Sequence, residues 1–338
     1  MKVLVTGGAG FIGSNFVKFS LKNHPDRVVV NLDSLTYAGN LKNLHSVLDN
    51  PGHTFVKGDI RDAAAVDAAM AGVDAVVHFA AESHVDRSIE NASVFLHTNI
   101  VGTGVLLDAA KRRGVGKFVH VSTDEVYGSI GKGYFTETSN LHPNSPYAAS
   151  KAGSDLLALS YFATHGLDVS VTRCSNNFGP YQFPEKLIPL FITNALADQP
   201  LPIYGDGLYV RDWLHVDDHC AAIDLVLQKG KAGEVYNIGG EKDRTNMEIT
   251  DIILAKLGKP NTLKRFVKDR PGHDRRYAID SSRIERELGW KPAHAFEDAI
   301  GRTIEWYIDN EDWWREIKSG EYLRYYEKHY SHRLSEKS

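Results

Sequence analysis

The chain has little cysteine, no excess of positive charge and no long apolar run. Its only cysteines among 338 residues, Cys174 and Cys220, are too few for a disulfide framework. The formal net charge of -4 argues against a nucleic-acid or membrane-surface binder, because both usually carry a basic excess. No segment approaches the roughly 18 to 20 uninterrupted apolar residues that span a bilayer, and the N-terminus enters a glycine-rich turn instead of a signal segment. These absences predict a cytoplasmic protein without nucleic-acid or membrane partners.

The residues that are present favour a large α/β fold. The chain is 42% hydrophobic and 24% charged, which is ordinary for a folded protein. Short apolar runs alternate with helical patterns, as in a doubly wound parallel sheet of the Rossmann type. Six strands are predicted at 2–6, 28–33, 54–59, 75–80, 117–122 and 169–174.

The pattern changes after Gly179, where prolines interrupt it and the elements become shorter. We therefore predict a dinucleotide-binding Rossmann domain over 1–178 and a smaller C-terminal α/β substrate domain over 179–330. A strand pattern at 235–238 indicates that the chain returns to the first domain between about 210 and 240.

Helical periodicity predicts helices at 94–113, 246–256 and 296–308. The apolar stripe of the first comprises Phe95, Leu96, Ile100, Leu106, Leu107 and Ala110.

A glycine-rich turn follows the first strand directly. Gly7, Gly10 and Gly13 have the spacing G-x-x-G-x-x-G, with Phe11 and Ile12 between the last two. Such a turn lets backbone N–H groups and the positive end of a helix approach a pyrophosphate. A purely structural turn is the alternative, because a glycine motif alone is weak evidence.

Two carboxylates follow later strands of the same half. Asp33 ends the second strand about twenty residues after Gly13, where a carboxylate can accept the ribose hydroxyls of NAD and repel the 2′-phosphate of NADP. Lys42 lies near enough in sequence to bind a 2′-phosphate, so NADP remains an alternative cofactor. Asp59 and Ile60 suit the adenine edge, although a helix N-cap near 62–70 explains a carboxylate there equally well.

Tyr147 and Lys151 are four residues apart and so lie on one face of a predicted helix. A lysine beside a phenol lowers the phenol pKa, which makes the tyrosine a base for a hydroxyl proton. The spacing alone is also common on exposed helices.

Thr123, Asp124 and Glu125 follow the fifth strand, at the edge where an open α/β sheet presents its ligand-contacting groups. Thr123 can hydrogen-bond the oxygen that Tyr147 deprotonates. The adjacent carboxylates are predicted to act as a separate acid and base, because burying both unused would be costly. The alternative is that they cap the following loop.

Several motifs together resemble the dTDP-glucose 4,6-dehydratases of the extended short-chain dehydrogenase/reductase class. They are the glycine turn, DSLTYAGN at 33–40, AAESHVDRS at 80–88, the Thr123-Asp124-Glu125 triplet and the Tyr147/Lys151 pair. The resemblance implies oxidation at sugar C4 with Tyr147 as base, removal of the C5 proton by Glu125, protonation of the C6 hydroxyl by Asp124, and return of hydride at C6. It therefore implies recycled NAD as the cofactor.

The resemblance also implies binding residues and a homodimer paired through helices 94–113 and 145–165, while no metal site is predicted. Further NAD contacts are implied at Ser34, Thr36, Ala80, Ala81, Asn99 and Asn176. Nucleotide-sugar contacts are implied at Ser83, Asn176, Asn177, Lys186, Leu187, Pro202, Ile203, Tyr204, Arg211, Asn246, Arg270 and His273. Arg211 and Arg270 are expected nearest the phosphates, because an acidic protein must supply local cations to a diphosphate.

Two other functions remain open on the same scaffold. An epimerase or decarboxylase of nucleotide sugars would not obviously need the Asp124-Glu125 pair, and a noncatalytic NAD sensor would not need Tyr147 and Lys151. The choice between thymine and uracil is also open. The His-Val-Asp-Asp-His segment at 215–219 has metal-ligand residue types, but its aspartates are expected to be helix N-caps.

Overall fold

The computed structural model of the chain describes residues 1–240 and 243–335. A seven-stranded sheet dominates it, with the order β10-β6-β5-β4-β1-β2-β3 and every neighbouring pair parallel. This order is the doubly wound pattern, with β1 beside the topological switch point. The strands are β1 (Lys2–Thr6), β2 (Val28–Asp33), β3 (His53–Lys57), β4 (Ala75–His78), β5 (Lys117–Thr123), β6 (Val169–Cys174) and β10 (Val235–Ile238).

Helices cover both faces of this sheet because its strands are apolar on both sides. Phe16 and Ile223 belong to the core on one face, and Leu106 and Ala158 belong to the core on the other. Burying each large apolar side chain contributes roughly 1.5–3 kcal/mol. The helices of this half are α1 (Phe11–Asn23), α2 (Ala63–Ala69), α3 (Val85–Glu90), α4 (Ala92–Phe95), α5 (Thr103–Arg113), α6 (Pro146–His165), α8 (Val216–Lys229) and α10 (Ser282–Leu288).

A smaller layer with its own core lies beyond the carboxyl ends of the strands. Phe178, Ile192, Ile253 and Ile300 pack in that core. Its strands are β7 (Asn176–Phe178), β8 (Leu201–Tyr204), β9 (Val210–His215), β11 (Asp243–Thr245) and β12 (Lys264–Val267). Its helices are α7 (Leu187–Leu196), α9 (Asn246–Leu257), α11 (Phe296–Asp309), α12 (Glu311–Ile317) and α13 (Gly320–Ser335).

The predicted fold class is confirmed, and three of the six predicted strands have the predicted bounds. The third and fourth strands end two residues early, at Lys57 and His78, because the following residues leave the sheet to line a cavity. The division of the chain at 178/179 stays a prediction, although β10 does pair with β6 of the large sheet.

The predicted helix 94–113 is interrupted by a π-helical segment, Leu96–Gly102, between α4 and α5. Leu96 is 45% exposed, so its place in the apolar stripe is wrong. Adjacent helical residues point about 100° apart, so Leu96 turns outward when Phe95 turns inward. Among the described residues, the run 92–113 alone has the length and mean hydropathy (1.2) of a membrane span, a test that core helices of globular proteins also pass.

Candidate active site

The carboxyl ends of the central strands open into a cleft with two connected cavities. The larger, about 400 Å³, lies over β1, β2, β5 and β6, and the smaller, about 150 Å³, lies over the second layer. Glu125, Asn176, Glu185 and Lys186 line both cavities. The position outside the strand ends is where open α/β sheets bind their ligands.

The glycine turn forms one wall of the first cavity and leaves no room for larger residues. Gly7 has a φ of +73°, and a Cβ there would lie 2.6 Å from the backbone nitrogen of Ala80. A Cβ on Gly13 would lie 2.2 Å from the Gly7 carbonyl oxygen. Helix α1 begins here without a side-chain cap or an acidic residue in its first turn, so its positive end is open to an anion. Gly7, Gly10, Phe11, Ile12 and Gly13 all line the cavity, as the sequence predicts.

Asp33 lines the same cavity and also holds the turn. Its carboxylate accepts hydrogen bonds from the backbone N–H of Ala9 (2.9 Å) and of Leu35 (2.8 Å). Each oxygen retains a second lone pair for a ribose hydroxyl. Burial raises the pKa of Asp33, and the two backbone donors oppose that rise. Lys42 instead pairs with Glu316, so the structure gives no support for Lys42 as a 2′-phosphate ligand.

The structure separates the two interpretations of Asp59. Asp62 caps α2 by accepting from the N–H groups of Ala64 and Ala65, so the capping role belongs to Asp62. Asp59 and Ile60 line the cavity, and the hydrogen bond from Arg61 lowers the pKa of Asp59. Of the other predicted NAD contacts, the following also line it: Ser34, Thr36, Ala80, Ala81 and Asn176.

Asn99 is the exception among the predicted NAD contacts, because it does not line the cavity. Its amide accepts from the N–H of Glu82 (2.9 Å) and donates to the Glu82 carbonyl (3.0 Å) and the Ser150 hydroxyl (2.8 Å). The π-helical segment aims this side chain at the loop behind the cavity wall. Asn99 therefore supports the loop at 79–83 and is not itself a cavity residue.

Tyr147 and Lys151 both face the first cavity from α6. The helix begins there because Ser145 caps it and Pro146 occupies its first position. The Lys151 ammonium donates to the Val121 carbonyl at 2.8 Å. Burial raises the pKa of Tyr147 well above its usual value, the Glu125 carboxylate raises it further, and a hydrogen bond from Thr123 opposes both. In the protein alone these effects outweigh the lowering predicted from Lys151, whose ammonium donates to β5.

Thr123, Asp124 and Glu125 continue from β5 into a short 3-10 turn, Asp124–Tyr127. The Thr123 hydroxyl accepts from the N–H of Glu125 (3.2 Å), so Thr123 caps the turn. The alternative that both carboxylates serve as caps is therefore wrong. Both line the cavity, where their chemistry is available.

The environments of the two carboxyl groups differ. Burial raises the pKa of Asp124 well above its usual value, and Glu125 and Asp212 raise it further. Burial also raises the pKa of Glu125, but the cations Arg270, Lys186 and Arg211 oppose that rise. The arrangement favours a protonated Asp124 beside a more readily ionised Glu125.

The second cavity contains the predicted cations. Arg270 Nη1 lies 3.2 Å from Asp86 Oδ1, and Arg211 Nη2 donates to the Asp274 carbonyl at 3.0 Å. The ring of His273 stacks on Tyr209 with centroids 3.7 Å apart. The remaining predicted substrate residues that line this cavity are Asn176, Lys186, Leu187, Pro202, Ile203, Tyr204 and Asn246.

Ser83 and Asn177 line the first cavity instead of the second. The Ser83 carbonyl accepts from the Lys186 ammonium at 2.7 Å. The Asn177 amide is already engaged by His219 (2.9 Å) and by the Ser175 carbonyl (3.0 Å). Asn177 thus shapes the cavity with its polar atoms already satisfied by the protein.

Sequence reasoning missed Glu185, which lines both cavities. Its carboxylate accepts from the Tyr37 hydroxyl (3.1 Å) and from Arg87 Nε (3.3 Å). The Arg87 guanidinium lies between the rings of Tyr37 and Tyr325, 4.0 and 3.9 Å from their centroids. Tyr37 and Arg87 belong to the motifs at 33–40 and 80–88. Those motifs were the sequence signal from which a partner such as Glu185 could have been sought.

The His215–His219 segment serves helix α8. His215, not an aspartate, is the N-cap and accepts from the N–H of Asp217 (3.3 Å). Asp218 accepts from the N–H groups of Ala293 and His294 instead. His215, Asp217 and His294 do lie within 4.8 Å of one another, but these contacts account for the cluster structurally.

The site defines the class of dinucleotide-dependent enzymes that act on nucleotide sugars. It combines a Rossmann sheet, an open helix end, a Tyr/Lys pair and a second cavity with cations in its lining. The family model for GDP-mannose 4,6 dehydratase matches residues 4–303. The curated dTDP-glucose 4,6-dehydratase of Streptomyces antibioticus is 58% identical over 323 residues, covering 94% of this chain and 96% of that protein. The chain belongs to the dTDP-glucose 4,6-dehydratase family.

Solved structures agree with this assignment. A dTDP-glucose 4,6-dehydratase from Streptomyces venezuelae, crystallised with NAD, has a TM-score of 0.93 and 58% identity, covering 94% of this chain and 100% of that chain. A UDP-glucose 4-epimerase from Thermotoga maritima is more distant, with a TM-score of 0.86 and 31% identity, covering 92% and 100%.

Proposed function

We propose that the protein uses NAD to convert dTDP-glucose into dTDP-4-keto-6-deoxyglucose with loss of water. The observation that carries this proposal is the Asp124-Glu125 pair, a buried and a partly buried carboxyl group of different environment beside Tyr147. Oxidation at C4 alone would need only Tyr147. An acid and a base are needed when a C5 proton and a C6 hydroxyl must both leave.

The first cavity holds NAD in this proposal. The glycine turn and the end of α1 bind the pyrophosphate, and Asp33 accepts the ribose hydroxyls. Bound there, the cofactor would supply a hydride acceptor for C4 in its oxidised form and a hydride donor for C6 in its reduced form. Tyr147 takes the proton of the C4 hydroxyl, assisted by Thr123.

The two carboxyl groups carry out the elimination. Glu125 takes the C5 proton, which the adjacent C4 ketone acidifies. Asp124, kept neutral by burial, gives its proton to the departing C6 oxygen. Glu125 then returns a proton to C5, which leaves the 4-keto-6-deoxy sugar.

The second cavity holds the nucleotide. Arg211 is buried and Arg270 is partly buried there, and both line the smaller cavity as cations suited to a diphosphate. His273, whose ring stacks on Tyr209, contributes an aromatic ring to the lining of that cavity.

A homodimer through 92–113 and α6 is part of the proposal. Exposed apolar side chains on these contacting helices support it, namely Val94, Leu96, Val101, Leu156 and Phe162. Light scattering of Leu156→Glu should then report a monomer, with Leu208→Glu, an exposed site elsewhere, as the control. A cytoplasmic location stays a prediction of the sequence.

Incubation with dTDP-glucose and, separately, UDP-glucose tests the function. The product of dTDP-glucose should be lighter by one water, as measured by mass spectrometry. A product of unchanged mass would indicate epimerisation and would contradict the proposal. Equal turnover of dTDP-glucose and UDP-glucose would contradict the proposal that the enzyme prefers the thymine nucleotide.

A further inference from the structure

A chain of three hydrogen bonds runs from the smaller layer to the glycine turn of the first cavity. Trp313 of α12 donates its indole N–H at 2.9 Å to the side-chain oxygen of Asn43, in the 3-10 helix Leu41–Val47. The Asn43 amide in turn donates to the Ala9 carbonyl at 2.9 Å. The Ala9 N–H donates to the Asp33 carboxylate, also at 2.9 Å. These bonds join a C-terminal helix to the proposed acceptor of the ribose hydroxyls.

Ala9 is the point at which this chain reaches the turn, and the protein fixes both of its backbone groups. Its carbonyl accepts from the Asn40 N–H at 3.0 Å as well as from Asn43, so both lone pairs are used. Gly8 and Gly10 flank it, and glycine rotates more freely about its backbone bonds than other residues do. A turn of this composition keeps one shape only where neighbouring groups hold it, and Asn43 is one of those groups.

The hydrogen-bond chain is shielded from water. Ala9 is fully buried, Asn43 is 2% exposed and Trp313 is 9% exposed. Removing one partner from a buried hydrogen bond leaves the other unsatisfied, which costs more than the bond itself contributes. Loss of the indole N–H should therefore loosen the amide that holds Ala9. An exposed ion pair, Lys42–Glu316, joins the same two helices, but exposed pairs contribute little.

The proposed reaction makes retention of the cofactor essential. The hydride taken from C4 must return to C6 of the same sugar, so the cofactor has to stay bound in between. Its departure after the first transfer would leave an oxidised sugar and an empty enzyme. A turn that is already held in its bound shape binds more tightly than one that the ligand must order.

We propose that Trp313 and Asn43 are positioning residues of the cofactor site, which hold the glycine turn in its binding conformation and so retain NAD between the two hydride transfers. This inference rests on the function proposed above. Neither side chain lines a cavity of the cleft, so both act on the cofactor through Ala9 and the turn.

The test compares Trp313→Phe with Trp314→Phe in stopped-flow fluorescence of bound NADH displaced by excess NAD+. Both tryptophans are buried in α12, but Trp314 donates its indole N–H to the Tyr307 carbonyl at 2.8 Å, within the smaller layer. Each variant thus loses the same atoms and one hydrogen bond. We expect NADH to leave Trp313→Phe roughly three- to tenfold faster, the factor for one hydrogen bond, and to leave Trp314→Phe at the wild-type rate.

A double substitution separates this hydrogen-bond chain from a general loosening of the fold. Asn43→Leu removes both side-chain bonds of Asn43 at similar size, so it should accelerate NADH release at least as much as Trp313→Phe does. Adding Trp313→Phe to it should have no further effect, because both changes interrupt one chain. Glu316→Gln, which removes the exposed pair between the same helices, should leave the rate unchanged.

Turnover should show the same defect in a form that added cofactor corrects. Trp313→Phe with bound NAD should lose activity on dTDP-glucose faster than the wild type when free NAD+ is absent, and added NAD+ should restore it. Trp314→Phe should keep its activity as the wild type does. Melting temperatures measured without sugar establish that each variant is folded.

Three results would overturn the proposal. Equal NADH release from Trp313→Phe and Trp314→Phe would show that α12 only stabilises the smaller layer. Additive effects of Trp313→Phe and Asn43→Leu would show that the two residues act separately, and a loss of activity that NAD+ does not restore would exclude a defect of retention. Failure of the proposed function is distinguishable, because NADH release is measured without sugar, whereas a wrong function would appear as a wild type that forms no dehydrated product.

Discussion

The two cavities of the cleft differ in the parts of the chain that line them. One side of the first is lined by the glycine turn and by short segments that follow β2, β3 and β4, and its Asp33 ends the strand that comes next along the chain after that turn. The cations of the second are carried by long side chains on separate segments, and its Arg270–Asp86 contact joins positions 184 residues apart. The comparison teaches that local spacing determines the first cavity, whereas tertiary packing determines the second. The proposed catalytic groups adjoin the junction of the two cavities, because Glu125 lines both cavities whereas Thr123, Asp124 and Tyr147 line the first.

The largest effect is expected at this junction. Tyr147→Phe removes the group that takes the C4 proton while it retains the buried ring, so turnover should fall on the order of 100-fold or more. The rate of dehydrated product, measured by mass spectrometry, checks this. Tyr134→Phe, at a tyrosine that is 60% exposed, should be unaffected. A near-normal rate in Tyr147→Phe would show that another residue takes the C4 proton.

Substitution of Asp124 and substitution of Glu125 should impair different steps of the reaction, although the two residues are adjacent. Glu125→Gln removes the C5 base, so solvent deuterium should not enter C5 in D2O and dehydration should fall by roughly 100-fold or more. Asp124→Asn leaves the base but removes the acid, so elimination should slow while exchange at C5 persists. Deuterium at C5 with a wild-type rate in Glu125→Gln would rule out a dedicated base.

Removing a cation from the second cavity should weaken binding of the nucleotide sugar and leave the binding of NAD unchanged. Arg270→Met retains an apolar stem without charge, and we expect KM for dTDP-glucose to rise roughly 10- to 100-fold, as for the loss of a charge-assisted hydrogen bond. NAD affinity should not change. Arg265→Met, at an exposed arginine, is the matched control. Equal losses in both affinities would mean that the cavities are not independent.

The reciprocal change is made in the first cavity. Asp33→Ala should weaken NAD+ binding by about tenfold, because it removes the acceptor of the ribose hydroxyls. The ratio of the affinity for NAD+ to the affinity for NADP+ should therefore decrease. KM for dTDP-glucose, measured at saturating NAD+, should stay constant, and Asp26→Ala at the surface serves as control. Unchanged affinities for both cofactors would exclude Asp33 as the ribose ligand.

The smallest effect concerns stability. Burial raises the pKa of Asp124 above its usual 3.8, so the folded state binds its proton more tightly than the unfolded state does. Stability therefore falls as pH rises from 3.8 toward the raised pKa, and Asp124 destabilises the protein above that window. Asp124→Asn should raise the melting temperature by a few degrees at neutral pH, a gain that disappears below about pH 4. A constant gain across this range would mean that Asp124 titrates normally in the fold.

The comparison also explains what the sequence could predict. The glycine turn, Asp33 and the Thr123-Asp124-Glu125 triplet are recognisable because a strand end fixes where they point. Arg211 and Arg270 were found only by resemblance to a family, since no local spacing distinguishes them from surface arginines. Periodicity could not reveal the π-helical segment that turns Asn99 away from the cavity.

Side-chain direction was a second limit. The spacing of Tyr147 and Lys151 is correct, but the direction of the lysine depends on the Val121 carbonyl of a neighbouring strand. Glu185 was missed because its partners, Tyr37 and Arg87, come from distant segments of the chain.

The pairing of β10 with β6 has a consequence for how the chain is synthesised. Strand β6 is complete at Cys174, but its partner is Val235–Ile238, about 60 residues later. At roughly 5–20 residues per second, a ribosome leaves the edge of β6 without this neighbour for several seconds. An unpaired strand edge is a template for association with other chains. The nascent chain is therefore most prone to aggregation in this interval, and slow codons between these strands would lengthen the exposure.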